Sequence, residues 1–183
     1  MVFLMRNPPQ QYPALLVLLL ALFAPPLWAD TAAQIESGSR EALAFLTGQV
    51  PGSAKLLDQA HGVLVFPDIV KLGFGTGGQY GEGVLLVDDQ PVSYYAIAGG
   101  AYGLALGTRF KAGVVMFTNE EALRQFRNSR RWQVGVDGSI VLAHGDIKTD
   151  ELQQQPRVGF VFSEEGMETG LSFKQTRITR LAR

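Results

Sequence analysis

From Val63 onward the chain consists of short runs of β-branched, aromatic and leucine residues cut by glycine and aspartate, and this punctuation limits what it can fold into. Val63-Leu64-Val65-Phe66 and Val84-Leu85-Leu86-Val87 are continuous apolar runs of strand length; both read as buried strands, the second ended by a turn at Asp88-Asp89. The stretch Val92 to Ala98 is rich in β-forming residues and is closed by Gly99-Gly100. Beyond it Tyr102, Leu104, Leu106, Thr108 and Phe110 alternate with Gly103, Ala105, Gly107 and Arg109, so one face of that strand is bulky and the other almost bare. A bare strand face lets another backbone approach closely or lets the sheet bend. Further strands are expected over 112–117, 133–136, 139–143 and 158–162, with an Asp137-Gly138 hairpin joining the second to the third. A polar loop is expected over 145–157, a turn at Glu164-Glu165-Gly166, and a last strand between Leu171 and Leu181.

Three segments carry the other periodicity. Ile35, Ala42, Leu43 and Leu46 fall near one face of a helix over 31–46, and a second short helix over 54–60 follows Ser53 as a plausible N-cap. Glu120 to Ser129 reads as a helix capped by Thr118 or Asn119, with acidic residues in its first turn where the helix dipole favours them. Two helices, many strands, and a helix between strands predict an α+β fold: an antiparallel, strongly curved, barrel-like sheet with a few flanking helices.

The N-terminus has the layout of a secretory signal peptide. Arg6 precedes an apolar run from Ala14 to Ala24, about half the roughly 20 residues a membrane-spanning helix needs, and small Ala29 suits cleavage before Asp30. An uncleaved N-terminal anchor is the competing reading. The expected organisation is residues 1–29 as signal peptide and 30–183 as one domain, placed in the periplasm or secreted. The chain has no Cys, so the leader cannot be a lipoprotein signal, and disulfides, thiol catalysis and Cys-rich metal sites are excluded. With 16 Lys and Arg against 17 Asp and Glu, a formal net charge of −1, bulk attraction to nucleic acid is not indicated.

The string Gly73-Phe74-Gly75-Thr76-Gly77-Gly78 satisfies G-x-G-x-x-G, but the helix that should follow to hold a pyrophosphate is missing; Gln79 to Gly83 leads into a strand instead. Close strand packing and sharp turns are the reading of these glycines. His61 and His144 each stand in Ala-His-Gly without ligand spacing around them, no G-x-S-x-G elbow occurs, and the acidic pairs sit at turns or a helix start. No catalytic residue, metal or cofactor is expected, and a hydrolase acting on an envelope substrate lacks any motif. The basic residues are more suggestive. Arg124, Arg127 and Arg131 are spaced to share a helix face, with Arg130 beside them; Lys174, Arg177, Arg180 and Arg183 mark the C-terminal strand and tail, and Lys71 precedes the glycine-rich turn. Guanidinium groups suit bidentate contact with phosphate oxygens, so an anionic headgroup is one reading and a solvated face the other.

The strings Ala60-His61-Gly62-Val63-Leu64-Val65-Phe66-Pro67, Lys71 through Gly83, Tyr94-Tyr95, and Trp132-Gln133-Val134-Gly135-Val136-Asp137 resemble those of the SYLF-domain family, in the family's order and over about 51–178. The resemblance implies a lipid-binding domain without enzymatic activity; eukaryotic members recognise phosphoinositides, and some fungal members bind actin filaments. An exported protein would not meet cytosolic actin, so actin is not an expected partner. The chain departs from eukaryotic members in having a signal peptide and a modest helix where they carry an amphipathic segment. The expectation is therefore an exported lipid-binding protein that docks peripherally on anionic phospholipid headgroups through Lys71, Arg124, Arg127 and Arg131, this basic set being read from the residues and not from the family. The alternative is a protein-interaction or envelope-structural module, packing a partner against the bare strand face around Gly103, Ala105 and Gly107.

Overall fold

A computed structural model describes residues 30–72, 77–101, 109–110, 112–143, 148–163, 166–167 and 176–183. Helix α1 (Ala32–Gln49) opens on a capping box, in which the Thr31 hydroxyl accepts from the Gln34 N–H and the Gln34 side chain reaches back to the cap. Helix α2 (Ser53–Asp58) starts one residue earlier than its sequence suggests. Its N-cap is Gly52 at φ +82°, a conformation that suits glycine, while Ser53 turns its hydroxyl inward to donate to the carbonyls of Val50 and Leu46.

The sheet is assembled from β1 (Gly62–Leu72), β2 (Gly77–Val87), β3 (Gln90–Ala101), β4 (Arg109–Phe110), β5 (Ala112–Phe117), β6 (Arg131–Gln133), β7 (Val141–Leu142), β8 (Arg157–Ser163), β9 (Gly166–Met167) and β10 (Arg177–Arg180). Its order is β6-β10-β3-β2-β1-β5-β8-β7, with β4 on β1 and β9 on β8. Asp88 and Asp89 both adopt positive φ, 50° and 59°, the left-handed pair that matches a tight hairpin turn to strand twist, so β2 folds directly onto β3. Helix α3 (Glu120–Asn128) follows β5 and α4 (Thr149–Gln153) precedes β8.

The expected α+β class and strong curvature are present, but the sheet is mixed rather than antiparallel throughout. β7 runs parallel to β8, with Val141 opposite Val158 and Leu142 opposite Gly159. A parallel pair needs a crossover of a dozen or more residues, and the segment between β7 and β8 supplies it, part of it folding as α4 where a polar loop is expected. The Asp137-Gly138 hairpin is accordingly not formed: the chain turns there, but only a single bridge joins Val134 to Gly138 and β7 pairs elsewhere.

Curvature follows from where the aromatic rings meet. β3 and β5 are separated by two strands, so in a flat sheet they would stand roughly 14 Å apart. Phe126 of α3 nevertheless lies 4.9 Å from the Tyr95 ring on β3, 5.0 Å from Phe117 on β5 and 5.7 Å from Trp132 on β6. The sheet curls around α3 as an open half-barrel. Leu64, Phe66, Leu85, Ile97, Val115, Val161 and Ile178 complete this interior core. On the outer face α1 and α2 cover Val63, Val65, Val114, Met116, Val158 and Phe160. The inner face also explains one glycine, just beyond the glycine-rich string. A Cβ on Gly83 would stand 2.2 Å from the Val65 carbonyl oxygen and 2.6 Å from the Phe66 ring, so bulk there would force β1 and β2 apart. Residues 73–76, Gly103, Ala105, Gly107, His144 and the Glu164-Glu165 turn lie outside the described residues, as does the leader. No described helix is long and apolar enough to cross a membrane.

Candidate functional site: an arginine-rich edge

Helix α3 is where sequence and structure agree most closely. Asn119 caps it, its side-chain oxygen accepting from the Ala122 N–H at 2.8 Å, and Ala122, Leu123 and Phe126 are the buried face. Arg124 and Arg127 stand on the opposite, exposed face. With Glu120, Leu123, Asn128 and Arg180 they line an open groove of about 380 Å³. Arg180 is the member the helical spacing could not supply: β10 places it opposite Tyr95, at the rim, where its guanidinium donates to the Ser93 hydroxyl at 2.7 Å.

Arg131 does not share the helix face assigned to it. Ser129 ends α3 in extended backbone, and the chain enters β6, where Trp132 pairs with Ile178 and turns into the core. Strand alternation then puts Arg131, Gln133 and Arg177 on the outward face, away from Trp132 and Ile178. A second open hollow, about 480 Å³, lies there between Ala98, Gly99, Gln133 and Arg177. Lys71 is not brought to the groove on α3. Leu123 of α3 packs over Gly62, at the start of β1, whereas Lys71 pairs with Gln79 nine residues further on, roughly 30 Å along the strand. The predicted set thus divides: Arg124 and Arg127 join Arg180 at the groove, Arg131 joins Arg177 on the outer face of the same edge, and Lys71 lies on β1, in register through Gln79 with Gly99 of the second hollow and two strands from it.

Six exposed arginines, 124, 127, 130, 131, 177 and 180, therefore crowd the β6–β10 edge and the adjoining helix. Among the described residues only Arg124 of these has a carboxylate partner, Glu121 one turn before it. Glu121 also accepts from Gln125 at 2.8 Å, and the Gln125 carbonyl oxygen accepts from Arg157 at 2.9 Å. Arg157, only 6% exposed, is stacked 4.5 Å over the Trp132 ring, and burial lowers its pKa from the ordinary guanidinium value. No local signal in the sequence marks this arginine as interior. It ties β8 to β6 across the mouth of the half-barrel and, through Gln125, orients the acid that pairs with Arg124.

A different polar cluster lies between β2, β3 and the two ends of the described chain. The Glu82 carboxylate, its side chain 6% exposed, receives the Tyr80 hydroxyl at 2.7 Å and pairs with Arg183. Arg183 also donates to the Asp30 carbonyl at 2.7 Å and lies 5.8 Å from the Tyr94 ring centroid, while the Tyr94 hydroxyl donates to Glu36 at 2.5 Å. Burial and the hydrogen bond to Glu82 push the Tyr80 pKa up to about 12. Every member of this cluster has a partner, which suits a structural joint. His61 is exposed, and no group of three metal-ligating side chains occurs among the described residues. No protein-family model matches the chain, and no curated protein matches it; the likeness to the SYLF-domain family rests on the strings quoted above.

Proposed function

We propose that this is an exported, non-enzymatic lipid-binding protein of SYLF-domain type that docks peripherally on anionic phospholipid headgroups. The docking surface is the arginine edge, not the set of four residues that sequence spacing suggests. One observation carries the reading: Arg127, Arg130, Arg131 and Arg177 are exposed on one edge without a carboxylate partner among the described residues, in a chain whose formal net charge is −1. Unpaired guanidinium groups on a rigid sheet edge lose little order on meeting phosphate and gain bidentate hydrogen bonds there. The open groove of Arg124, Arg127 and Arg180 is of a size to receive a phosphate group.

The test is co-sedimentation of the purified protein with vesicles of phosphatidylcholine alone and of phosphatidylcholine with phosphatidylglycerol, across a salt series. Binding is expected only with the anionic lipid and weakens as salt rises, because exposed charges are screened over about 8 Å at physiological ionic strength. Failure to sediment with anionic vesicles at any salt would overturn the proposal and favour a protein partner.

A further inference from the structure

The edge that carries the arginines ends in a turn whose construction goes beyond charge. Val134 to Gly138 loops out from the end of β6, and Val136 at its tip is 73% exposed, against 41% for Tyr80 and 40% for Val92, the other large apolar residues exposed among the described residues. The turn around it is closed on itself. The N–H groups of Val136 and Asp137 both donate to the Gln133 carbonyl, at 3.1 and 2.9 Å, that of Gly135 to Gly138 at 2.8 Å, and that of Val134 to Thr176 at 2.9 Å. The Asp137 carboxylate is folded back to accept from the Gln133 N–H at 2.6 Å, so the one charge of the tip is engaged at its base. Gly138 packs on the Trp132 ring, which leaves no room for a Cβ and holds the turn on a buried pedestal. What the turn presents outward is an isopropyl group over a backbone in which the four N–H groups from Val134 to Asp137 are satisfied within the protein.

A backbone polar group is costly in hydrocarbon unless it is paired; the N–H groups of Val134 to Asp137 are paired, while their carbonyls have no backbone donor among the described residues, so the main chain suits the headgroup layer and the side chain of Val136 the apolar layer below it. Resting on the lipid-binding reading, we infer that the Val134–Gly138 turn is the point at which the protein enters the bilayer. Val136 passes the phosphate layer into the acyl boundary, and Arg131 and Arg177, on the paired strands from which the turn springs, hold phosphates beside it. The arrangement is that of an interfacial anchor, apolar at the tip and cationic at the shoulder.

The chain has no Cys, so Val136→Cys carries a single environment-sensitive nitrobenzoxadiazole label, with Glu41→Cys, exposed on α1, as the comparison position. With phosphatidylcholine–phosphatidylglycerol vesicles the label at 136 is expected to shift to shorter wavelength and to be quenched by doxyl-labelled lipids, the label at 41 to do neither. Unlabelled Val136→Ser should partition onto the same vesicles roughly fivefold more weakly, the loss of a small apolar contact. Protein that co-sediments while its label at 136 stays water-like would overturn insertion and leave headgroup docking intact. Unlabelled protein that fails to sediment would remove both.

Discussion

Arg177 opens β10 and Arg183 lies three residues beyond its other end, yet their surroundings have nothing in common. Arg183 closes on a buried carboxylate, a main-chain carbonyl and a tyrosine ring, so that it is fixed to β2, to β3 and to the segment leading into α1. Arg177 lines an open hollow and forms no ion pair among the described residues. Like residues thus build a joint at one end of the strand and a surface at the other. The difference is made by the neighbouring strands. β2 brings Glu82 against the first, while β6 brings only Gln133 and Arg131 against the second. A buried ion pair resists separation because either partner left alone is costly, whereas an unpaired exposed cation costs little and remains available.

The comparison breaks most visibly at the bare edge. Replacing Arg127, Arg131 and Arg177 together by Gln should weaken binding to phosphatidylglycerol vesicles by roughly 100-fold, each cation near an anionic surface contributing about 1 kcal/mol. The same variant should keep its unfolding free energy within about 0.5 kcal/mol, since exposed groups without partners hold nothing together. A fall in stability as large as the fall in binding would show the edge to be structural. The joint should respond in the opposite sense. Glu82→Ala leaves Arg183 and the Tyr80 hydroxyl unpartnered and should cost about 2 kcal/mol in denaturant unfolding, with vesicle binding of the folded protein unchanged.

Much of this division was legible in the sequence, though not its assembly. The cap and the amphipathic pattern of α3 are local, and Asn119, Leu123, Phe126, Arg124 and Arg127 stand where spacing puts them. The string Gly73 to Gly78 reads as a place of close strand approach, yet Gly73 and Gly75 lie outside the described residues, a Cβ on Gly78 would meet only ordinary contact, and the close approach falls further on, at Gly81 and Gly83. Arg131 was misplaced because helical periodicity carries no signal for its own end. The chain leaves α3 so that Trp132 can enter the core opposite Ile178, a contact between segments far apart in sequence. The parallel β7–β8 pair escaped for the same reason: Asp137-Gly138 codes for a turn but not for which strand comes next to which. Arg157 and Glu82, a buried cation and a buried anion, could not be told from surface charges until their neighbours were known.

The finest distinction between the two regions is chemical rather than energetic. Burial and the hydrogen bond to Glu82 raise the Tyr80 pKa from 10.0 to about 12, so the folded protein keeps the phenolic proton where the unfolded chain has lost it. The stability that this adds is fully present below pH 10 and is lost as pH rises toward 12, because over that window the native state binds more protons than the unfolded one. Tyr94 and Tyr95, whose pKa values are also raised, act in the same direction, so the useful quantity is the difference between the wild type and Tyr80→Phe. Thermal unfolding followed from pH 9 upward should show the wild type losing ground to the variant between pH 10 and 12. The change is modest, since Tyr80 is 41% exposed and water screens part of the interaction. Parallel curves would mean that the hydroxyl is not held on Glu82, and the joint would then reduce to the pairing of Glu82 with Arg183.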